Sequence, residues 1–277
     1  MKYFIQVSLI TYIASMLVYT LWSEITFSTI DKGWVGSLVY LPHGCRVIFY
    51  CFFGVRALPA LYLAEIDNAM IEINAEEIPI MDGSAKIFLE IFKNTEIITL
   101  AEKRNYFKVL NKIDLEDGGR KISIEPSEDS LEVQFQLNYN NKIIGKQKNT
   151  INFNKDDHEE VSSSRTFCLS KDIEEIKKAG LAKGGSLENA IVVDGDKVLN
   201  EGGLRNDKEF VNHKILDLVG DFMLSGFRIL GKVKCYQGGH ELSNKFLRKL
   251  FSNSLIKKNI ISYNFNTPSP KKIAINA

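Results

Sequence analysis

Apolar residues recur at helical spacing between Asn206 and Gly226 and predict an amphipathic helix in this part of the chain. Asn206 is a good N-cap residue, and Glu209 three residues later completes the pattern of a capping box. Gly226 is placed to end the helix. The apolar stripe consists of Val211, Ile215, Leu218 and Phe222. This stripe predicts which face of the helix is buried in the core.

A second stripe of the same helix is polar, because His213, Asp217 and Asp221 follow one another at intervals of four residues. Side chains at i and i+4 lie over each other, so an imidazole and a carboxylate one turn apart can hold one divalent ion. The same spacing is also typical of a solvated pair or of an i,i+4 hydrogen bond. The spacing alone leaves these interpretations open.

Alternating apolar and polar residues predict strands before this helix. Residues 70–74 alternate, and Ser84 can cap a following helix whose apolar residues repeat at helical spacing. From Tyr106 to Ile151, short alternating runs are separated by Asp-Gly-Gly and Asn-Asn turns. These patterns predict a strand, a turn and a helix, followed by a β-rich sheet.

A further helix and a hairpin are predicted between this sheet and the polar helix. Residues 171–179 have the pattern of a helix that ends at Gly180. Residues 190–193 and 197–199 flank an Asp-Gly pair, which is a hairpin signal. Together these patterns predict a βαβ-like unit ahead of the polar helix.

The composition is that of a globular protein, with 45% hydrophobic and 25% charged residues, and 277 residues are enough for two domains. A net charge of +1 gives no support to a nucleic-acid partner. The four cysteines form no C-x-x-C pair and no framework of disulfide spacing. Their pattern favours a reducing compartment.

The first 58 residues differ from the rest of the chain, because they contain only six charged side chains and both tryptophans. Between Tyr3 and Ser23 no charge occurs, and this stretch is just long enough to cross a bilayer as a helix. A membrane anchor is therefore one interpretation, although five Ser, Thr and Gln residues dilute the apolar run. The abrupt change in composition marks a boundary.

Long motifs in the chain carry a resemblance to a known family. They are IDNAMIEINAEEIPIMDGSAKIF, SSRTFCLSKDIEEIKKAGLAKGGSLENAIVVD, VLNEGGLRNDKEFVNHKILDLVGD and YQGGHELSNKFLRKLF. From about Ala60 to the C-terminus, the chain resembles UDP-3-O-acyl-N-acetylglucosamine deacetylase, the zinc amidohydrolase family of lipid A biosynthesis. The resemblance implies an α/β fold, an α+β two-layer sandwich with two similar domains and the active site between them.

On this resemblance, residues 1–58 are an aberrant apolar segment, residues 59–103 a remnant of the first domain, and residues 104–277 the second domain with a βαβ insertion at about 165–200. The implied reaction is zinc-dependent hydrolysis of the N-acetyl group of a UDP-linked 3-O-acylated glucosamine, with release of acetate. A cytoplasmic monomer of a Gram-negative bacterium is implied, without a nucleic-acid partner. A membrane partner is expected only if the N-terminal segment is a genuine anchor.

The resemblance also implies roles for the polar helix. His213 and Asp217 match two of the three protein ligands of the zinc ion. His240, directly after Gly-Gly, matches the catalytic histidine that stabilises the oxyanion and protonates the leaving amine. Asp221 matches the carboxylate that pairs with this histidine and favours its charged form.

Three further residues match substrate-contacting positions of the family. Thr166 matches a hydroxyl that helps to hold the oxyanion, Phe167 an aromatic residue beside the sugar, and Lys214 a lysine that contacts the substrate. The insertion is expected to form the passage for the acyl chain. Of the other histidines, His158 is predicted to lie in a solvated acidic loop, and His43 lies outside the resemblance.

The chain departs from the family in one motif, T-V-E-H-L, whose glutamate is the general base and whose histidine is the third zinc ligand. Counting back without gaps from Asp67, Val55 and Arg56 occupy these two positions. Three explanations of the first 58 residues stay open: a genuine membrane anchor, a divergent segment, or wrong-frame sequence after a frameshift. The alternative to an active deacetylase is an inactive family member, or a membrane-tethered protein that binds the acyl-sugar nucleotide without turnover.

Overall fold

The computed structural model describes residues 39–40, 46–47, 57–69, 78–100, 103–178, 184–252 and 260–263. The helices within these ranges are α1 (Ala57–Leu63), α2 (Lys86–Lys93), α3 (Glu159–Ser162), α4 (Ile173–Lys178), α5 (Glu209–Met223) and α6 (His240–Phe251). The strands are β1 (Val39–Tyr40), β2 (Arg46–Val47), β3 (Arg104–Lys108), β4 (Ile113–Asp117), β5 (Arg120–Glu125), β6 (Leu131–Asn138), β7 (Lys146–Asn152), β8 (Thr166–Leu169), β9 (Ala190–Asp194), β10 (Lys197–Val198), β11 (Arg228–Tyr236) and β12 (Ile260–Tyr263).

The largest sheet has seven strands and is built around β11. Strand β11 runs parallel to β3 and β6 and antiparallel to β5. Strands β12, β4 and β7 pair with β3, β5 and β6 in turn. Buried and more exposed residues alternate along β6, so one face of this strand packs into the core and the other is less deeply buried. The predicted α/β class and the predicted β-rich sheet are therefore confirmed.

Helix α5 covers the inner face of this sheet, where it contacts β6, β7 and β11, and it also contacts α1, α3 and α6. The four residues of the predicted apolar stripe are all buried, which confirms that prediction. Gly220 in the middle of α5 lies against Pro59 of α1, and a Cβ at this position would come within 2.8 Å of the proline ring. The lack of a side chain therefore allows α1 and α5 to approach this closely.

The start of α5 differs from the prediction, because the helix begins at Glu209 and the capping box does not form. The carboxylate of Glu209 instead accepts hydrogen bonds from Arg165 and from the backbone N–H of Arg205. Asn206 therefore precedes the helix without capping it. Gly226, at a φ of +75°, lies in the turn that follows the helix, as the sequence predicts.

The predicted βαβ unit is present. Strands β8 and β9 are parallel, α4 lies between them in sequence, and β9 forms a hairpin with β10. Helix α4 begins at Ile173, after a 3-10 turn at Ser170–Asp172. The predicted C-cap, Gly180, lies outside the described residues.

Helices α1 and α2 share one hydrophobic core with α5 and the large sheet. Helix α2 is confirmed where the sequence predicts it, but the predicted cap residue is wrong, because Ala85 and not Ser84 is the N-cap. The hydroxyl oxygen of Ser84 accepts the N–H of Lys86 in the turn before the helix. The predicted strand at residues 70–74 and the predicted anchor segment at residues 3–23 lie outside the described residues. No helix in the described ranges is long and apolar enough to cross a membrane. The proposed domain boundaries stay predictions.

Candidate active site

His213 is buried on α5, and one hydrogen bond fixes its orientation. Its Nδ1 lies 3.0 Å from the carbonyl oxygen of Ser164, and because a carbonyl only accepts, Nδ1 carries the proton. In the neutral ring the lone pair is then on Nε2, which faces Oδ1 of Asp217 at 3.3 Å. Because Nε2 and Oδ1 are both acceptors, their close approach is favourable only when a cation, either a proton or a metal ion, lies between them.

The donor pair of His213 and Asp217 fits two positions of a tetrahedral zinc site. Zinc bonds of about 2.0–2.2 Å place neighbouring ligand atoms about 3.4 Å apart, close to the 3.3 Å between Nε2 and Oδ1. Burial on its own would raise the pKa of Asp217, but the nearby His213, Lys214 and His240 hold this pKa well below its usual range. Asp217 is therefore ionised, as a metal ligand must be.

Lys214 binds the second oxygen of Asp217. Its Nζ lies 3.0 Å from Oδ2 and 5.5 Å from the centre of the Phe167 ring. Burial alone would lower the pKa of Lys214, but the charge of Asp217 and the hydrogen bond to it raise that pKa above its usual value. A charged ammonium group therefore lies between the carboxylate and the aromatic ring.

His240 is the first residue of α6 and pairs with Asp221 of α5. Its Nδ1 lies 2.9 and 3.1 Å from the two carboxylate oxygens, so Nδ1 donates and Nε2 is directed away from Asp221. Burial on its own would lower the pKa of His240, but the charge of Asp217 and the hydrogen bond to Asp221 raise it to about 9. The side chain is 44% exposed, so at neutral pH an imidazolium borders the solvent.

Thr166 and Phe167 begin strand β8, next to α5. The backbone N–H of Thr166 donates to the carbonyl oxygen of Gly83 at 2.9 Å. The Phe167 ring packs edge-on against Tyr139 and Phe210, at centroid distances of 5.9 and 5.0 Å. Together with Lys214, these rings form an aromatic wall with one positive charge.

A small cleft lies between α1, the loop before α2, and α5. Its lining residues are Pro59, Ser84, Ala85, His213, Leu216 and Asp217. The Ser84 hydroxyl donates to Asp82, whose carboxylate also accepts from Arg205. The donor pair therefore faces a cleft that segments distant in sequence build together.

The structure brings six of the seven predicted site residues into two contact groups. His213, Asp217, Lys214 and Phe167 form one group, and His240 with Asp221 forms the other. The two groups interact electrostatically, since both Asp217 and Lys214 affect the pKa of His240. The seventh residue, Thr166, is adjacent to Phe167 in β8. The catalytic and ligand roles of these residues stay predictions.

The predictions for the other two histidines and for the third zinc ligand differ in how they compare with the structure. His158 is not a fully solvated residue as predicted, because its ring stacks on Phe153 at 5.3 Å and its Nε2 is buried without a hydrogen-bond partner among the described residues. His43, Val55 and Arg56 lie outside the described residues. Within the described part of the chain, no group of three or more His, Cys, Asp or Glu side chains is arranged to hold a metal ion.

Sequence reasoning missed a buried ion pair at the start of α5. Arg165 Nε lies 2.8 Å from Oε1 of Glu209, and the Glu209 side chain is 0% exposed. A signal for this residue was present, because Glu209 precedes His213 by four residues and extends the polar stripe by one turn. The capping-box interpretation of Glu209 concealed it.

Comparisons with known proteins identify the family of this chain. The family described as UDP-3-O-acyl N-acetylglycosamine deacetylase matches residues 57–252. The UDP-3-O-acyl-N-acetylglucosamine deacetylase of Geotalea uraniireducens (strain Rf4) is 40% identical over 198 residues, which are 71% of this chain and 64% of that protein. The protein of the same name from Pseudomonas entomophila (strain L48) is 40% identical over 192 residues, or 68% of this chain and 63% of that protein.

A third relative, the UDP-3-O-acyl-N-acetylglucosamine deacetylase of Aquifex aeolicus (strain VF5), is 42% identical over 203 residues, which are 73% of this chain and 70% of that protein. The chain thus spans slightly less than two thirds of the length of the first two relatives. The matched region contains every predicted site residue. This chain belongs to the UDP-3-O-acyl-N-acetylglucosamine deacetylase family.

Proposed function

We propose that this chain hydrolyses the N-acetyl group of UDP-3-O-acyl-N-acetylglucosamine in a zinc-dependent reaction, the committed step of lipid A biosynthesis, and that it does so slowly. One observation carries the proposal: a charged His240, paired with Asp221, lies near the donor pair of His213 and Asp217. This arrangement combines an acid with two adjacent metal-ligand atoms. Membership of the family supports the substrate.

His240 supplies the acid of the proposed reaction. With a pKa of about 9, its ring is protonated at neutral pH, and Asp221 holds Nδ1 so that Nε2–H is directed away from the pair. This N–H can stabilise negative charge that develops on the acetamide oxygen. As the C–N bond breaks, the same proton passes to the amine nitrogen and acetate is released.

His213 Nε2 and Asp217 Oδ1 would hold the zinc ion, which when bound lowers the pKa of a water molecule to about 7 and supplies the nucleophile. The carbonyl of Ser164 orients His213 for this role. Lys214 keeps the second oxygen of Asp217 occupied, so that Oδ1 is the atom left for the cation. The two ligand atoms are therefore oriented before the ion binds.

The substrate is proposed to lie along the aromatic wall. Lys214 is suited by its charge to the diphosphate or to the polar sugar face, and Phe167 to contact with the sugar ring. Thr166 is proposed to help hold the oxyanion, and the insertion to line the acyl passage. We further propose a cytoplasmic monomer without a nucleic-acid partner.

The proposed rate is a small fraction of that of a family member with the complete motif. Val55 and Arg56 occupy the positions of the general base and the third ligand. Loss of a general base alone lowers a rate by about 10²–10⁴, and catalytic zinc sites ordinarily have three protein ligands. The same departure favours a second candidate, a chain that binds the acyl-sugar nucleotide without turnover.

Two measurements on the purified full chain test the proposal, zinc content and acetate release from UDP-3-O-acyl-N-acetylglucosamine. We expect less than stoichiometric zinc, slow acetate release, and a further loss of roughly 10²-fold or more in the variant His240→Gln. Saturable substrate binding without acetate release supports the second candidate. If the chain neither binds the substrate nor releases acetate, both candidates are wrong. Stoichiometric zinc with rapid turnover indicates that another residue, such as His43, completes the site.

A further inference from the structure

The peptide group between Ser164 and Arg165 is hydrogen-bonded to α5 at both ends. Its carbonyl oxygen accepts from Nδ1 of His213 at 3.0 Å. Its N–H donates to Oε1 of Glu209 at 3.0 Å. A carboxylate, a peptide group and the imidazole thus form one continuous chain of hydrogen bonds.

Helix geometry explains why one peptide group can meet both side chains. Glu209 and His213 are one turn apart on α5, so they project from nearly the same face. The following residue of β8, Thr166, is held by a third hydrogen bond, from its N–H to the Gly83 carbonyl. The peptide group therefore has a fixed position against the helix.

Glu209 is fully buried, and its carboxylate accepts four hydrogen bonds from protein groups. Oε1 accepts from the N–H and Nε of Arg165, and Oε2 accepts from Nη2 of Arg165 and from the N–H of Arg205. The side chain is 0% exposed. Since a buried carboxylate is retained only when it is paired, these bonds hold the charge of Glu209 against the peptide N–H.

The charge on Glu209 affects His213 through this peptide group. Hydrogen bonds in a chain polarise one another, by roughly 10–30% per bond, so a carboxylate at the N–H makes the carbonyl a stronger acceptor. A stronger acceptor at Nδ1 fixes the tautomer, holds the ring plane and increases the electron density at Nε2. Nε2 is the atom that faces Asp217 at 3.3 Å.

We propose that Glu209 is a positioning residue for His213: through the Ser164–Arg165 peptide group, it fixes the tautomer and orientation in which Nε2 can bind a divalent cation. The binding of a divalent cation at His213 rests on the proposed function, but the effect of Glu209 on the tautomer and orientation of His213 does not. Arg165 forms a buried ion pair with Glu209, and Ser164 takes part through its backbone carbonyl. The role requires both the carboxylate and its contact with the Arg165 N–H.

Two variants separate the acceptor from the ion pair. Glu209→Gln keeps an oxygen that can accept the Arg165 N–H but removes its charge. The double variant Arg165→Met, Glu209→Met removes the acceptor and leaves no lone charge in the core. Phe251→Ala is the matched stability control, because Phe251 packs on Phe107 at 4.6 Å and lies about 16 Å along α6 from His240.

The first readout is the affinity for Zn²⁺ alone, measured by competition with a coloured chelator. We expect the double variant to bind about 10–100-fold more weakly than the wild type, Glu209→Gln to be intermediate, and Phe251→Ala to match the wild type. Equal affinity in the wild type and the double variant contradicts the proposal. So does an equal loss in Phe251→Ala, because the effect would then follow stability.

The second readout needs no metal. The chain has only four histidines, so ¹⁵N-histidine labelling resolves their rings, and His213→Gln assigns the His213 signals. We expect one Nδ1–H tautomer in the metal-free wild type at alkaline pH and a tautomer mixture in the double variant. An unchanged tautomer refutes the proposal even if the double variant binds zinc weakly. A changed tautomer in a chain that releases no acetate supports the positioning role and counts against the proposed function.

Discussion

Asp221→Asn tests the charge pairing around His240. In the folded protein the pKa of His240 is about 9, compared with about 6.5 for an unperturbed histidine. Because the folded value is the higher one, protonation of His240 stabilises the fold fully below about pH 6.5, and this contribution is lost as the pH rises through about 9. Removing the Asp221 carboxylate lowers the pKa of His240 and reduces this loss.

The size of the effect follows from the exposure of the ring. A difference of one between folded and unfolded pKa corresponds to about 1.36 kcal/mol, which sets an upper bound of about 3 kcal/mol for His240. Its side chain is 44% exposed, and solvent screening reduces the contribution to about 1 kcal/mol. We therefore expect the fall in unfolding free energy between about pH 6.5 and about pH 9 to be smaller in Asp221→Asn, by up to this amount.

Urea denaturation of the metal-free protein at both pH values measures this difference. Burial raises the pKa of the Cys235 thiol to about 12, so its titration in the unfolded chain also lowers stability above about pH 8.5. Burial is the largest cause of this shift and is the same in the wild type and the variant, whereas the charge of Asp221 is a smaller cause, so most of the Cys235 contribution cancels in the comparison. His240→Gln is the control and should remove the His240 contribution entirely. Equal pH dependence in the wild type and both variants would refute the raised pKa of His240, and a change in His240→Gln alone would assign the raised pKa to Asp217 rather than to Asp221.

Three further changes test the packing and the donor pair. Gly220→Ala brings a Cβ within 2.8 Å of the Pro59 ring. We expect urea denaturation to show a loss of about 1–2 kcal/mol in unfolding free energy, despite the better helix propensity of alanine. A gain in stability would show that α1 does not pack against Gly220. Gly83 has a φ of +80°, and Gly83→Ala places a Cβ 1.6 Å from the carbonyl oxygen of Asn189. We expect a loss of roughly 3 kcal/mol or more in unfolding free energy, measured by thermal unfolding. A melting temperature equal to that of the wild type would rule out this contact. Asp217→Asn replaces the carboxylate of the donor pair by a neutral amide. Competition for Zn²⁺ should show an affinity that is at least roughly tenfold lower. Unchanged affinity would place the metal elsewhere.

Local pattern predicted most of the secondary structure correctly. The apolar stripe of α5 and the hairpin between β9 and β10 follow from periodicity and turn residues, and the predicted βαβ-like unit is present as β8, α4 and β9. These features depend on backbone geometry within a few residues, which the sequence encodes directly. The spacing of His213 and Asp217 likewise predicted their approach, because residues one turn apart on a helix must face each other.

Spacing along the sequence does not specify which residues surround His213 and Asp217, because these neighbours come from other elements of the fold. Helix α5 turns about 100° per residue, so its polar stripe rotates by about 120° between Glu209 and Asp221. Glu209, at the N-terminal end of the stripe, therefore contacts Arg165, and Asp221, at its C-terminal end, contacts His240. Which element lies opposite each turn is decided by the packing of β8 and α6 on α5.

The sequence by itself determined most of the described elements, the family resemblance and the presence of a polar stripe with an imidazole and a carboxylate one turn apart. Only the tertiary structure decided that Glu209 is a buried ion-pair partner rather than a helix cap, because its partner is 44 residues away in sequence. It also decided that Gly220 is a contact point, because the Pro59 ring occupies the space of a side chain. Local rules describe hydrogen bonds within a segment, whereas a buried charge or a close helix crossing is stabilised by whichever distant group the fold brings to it.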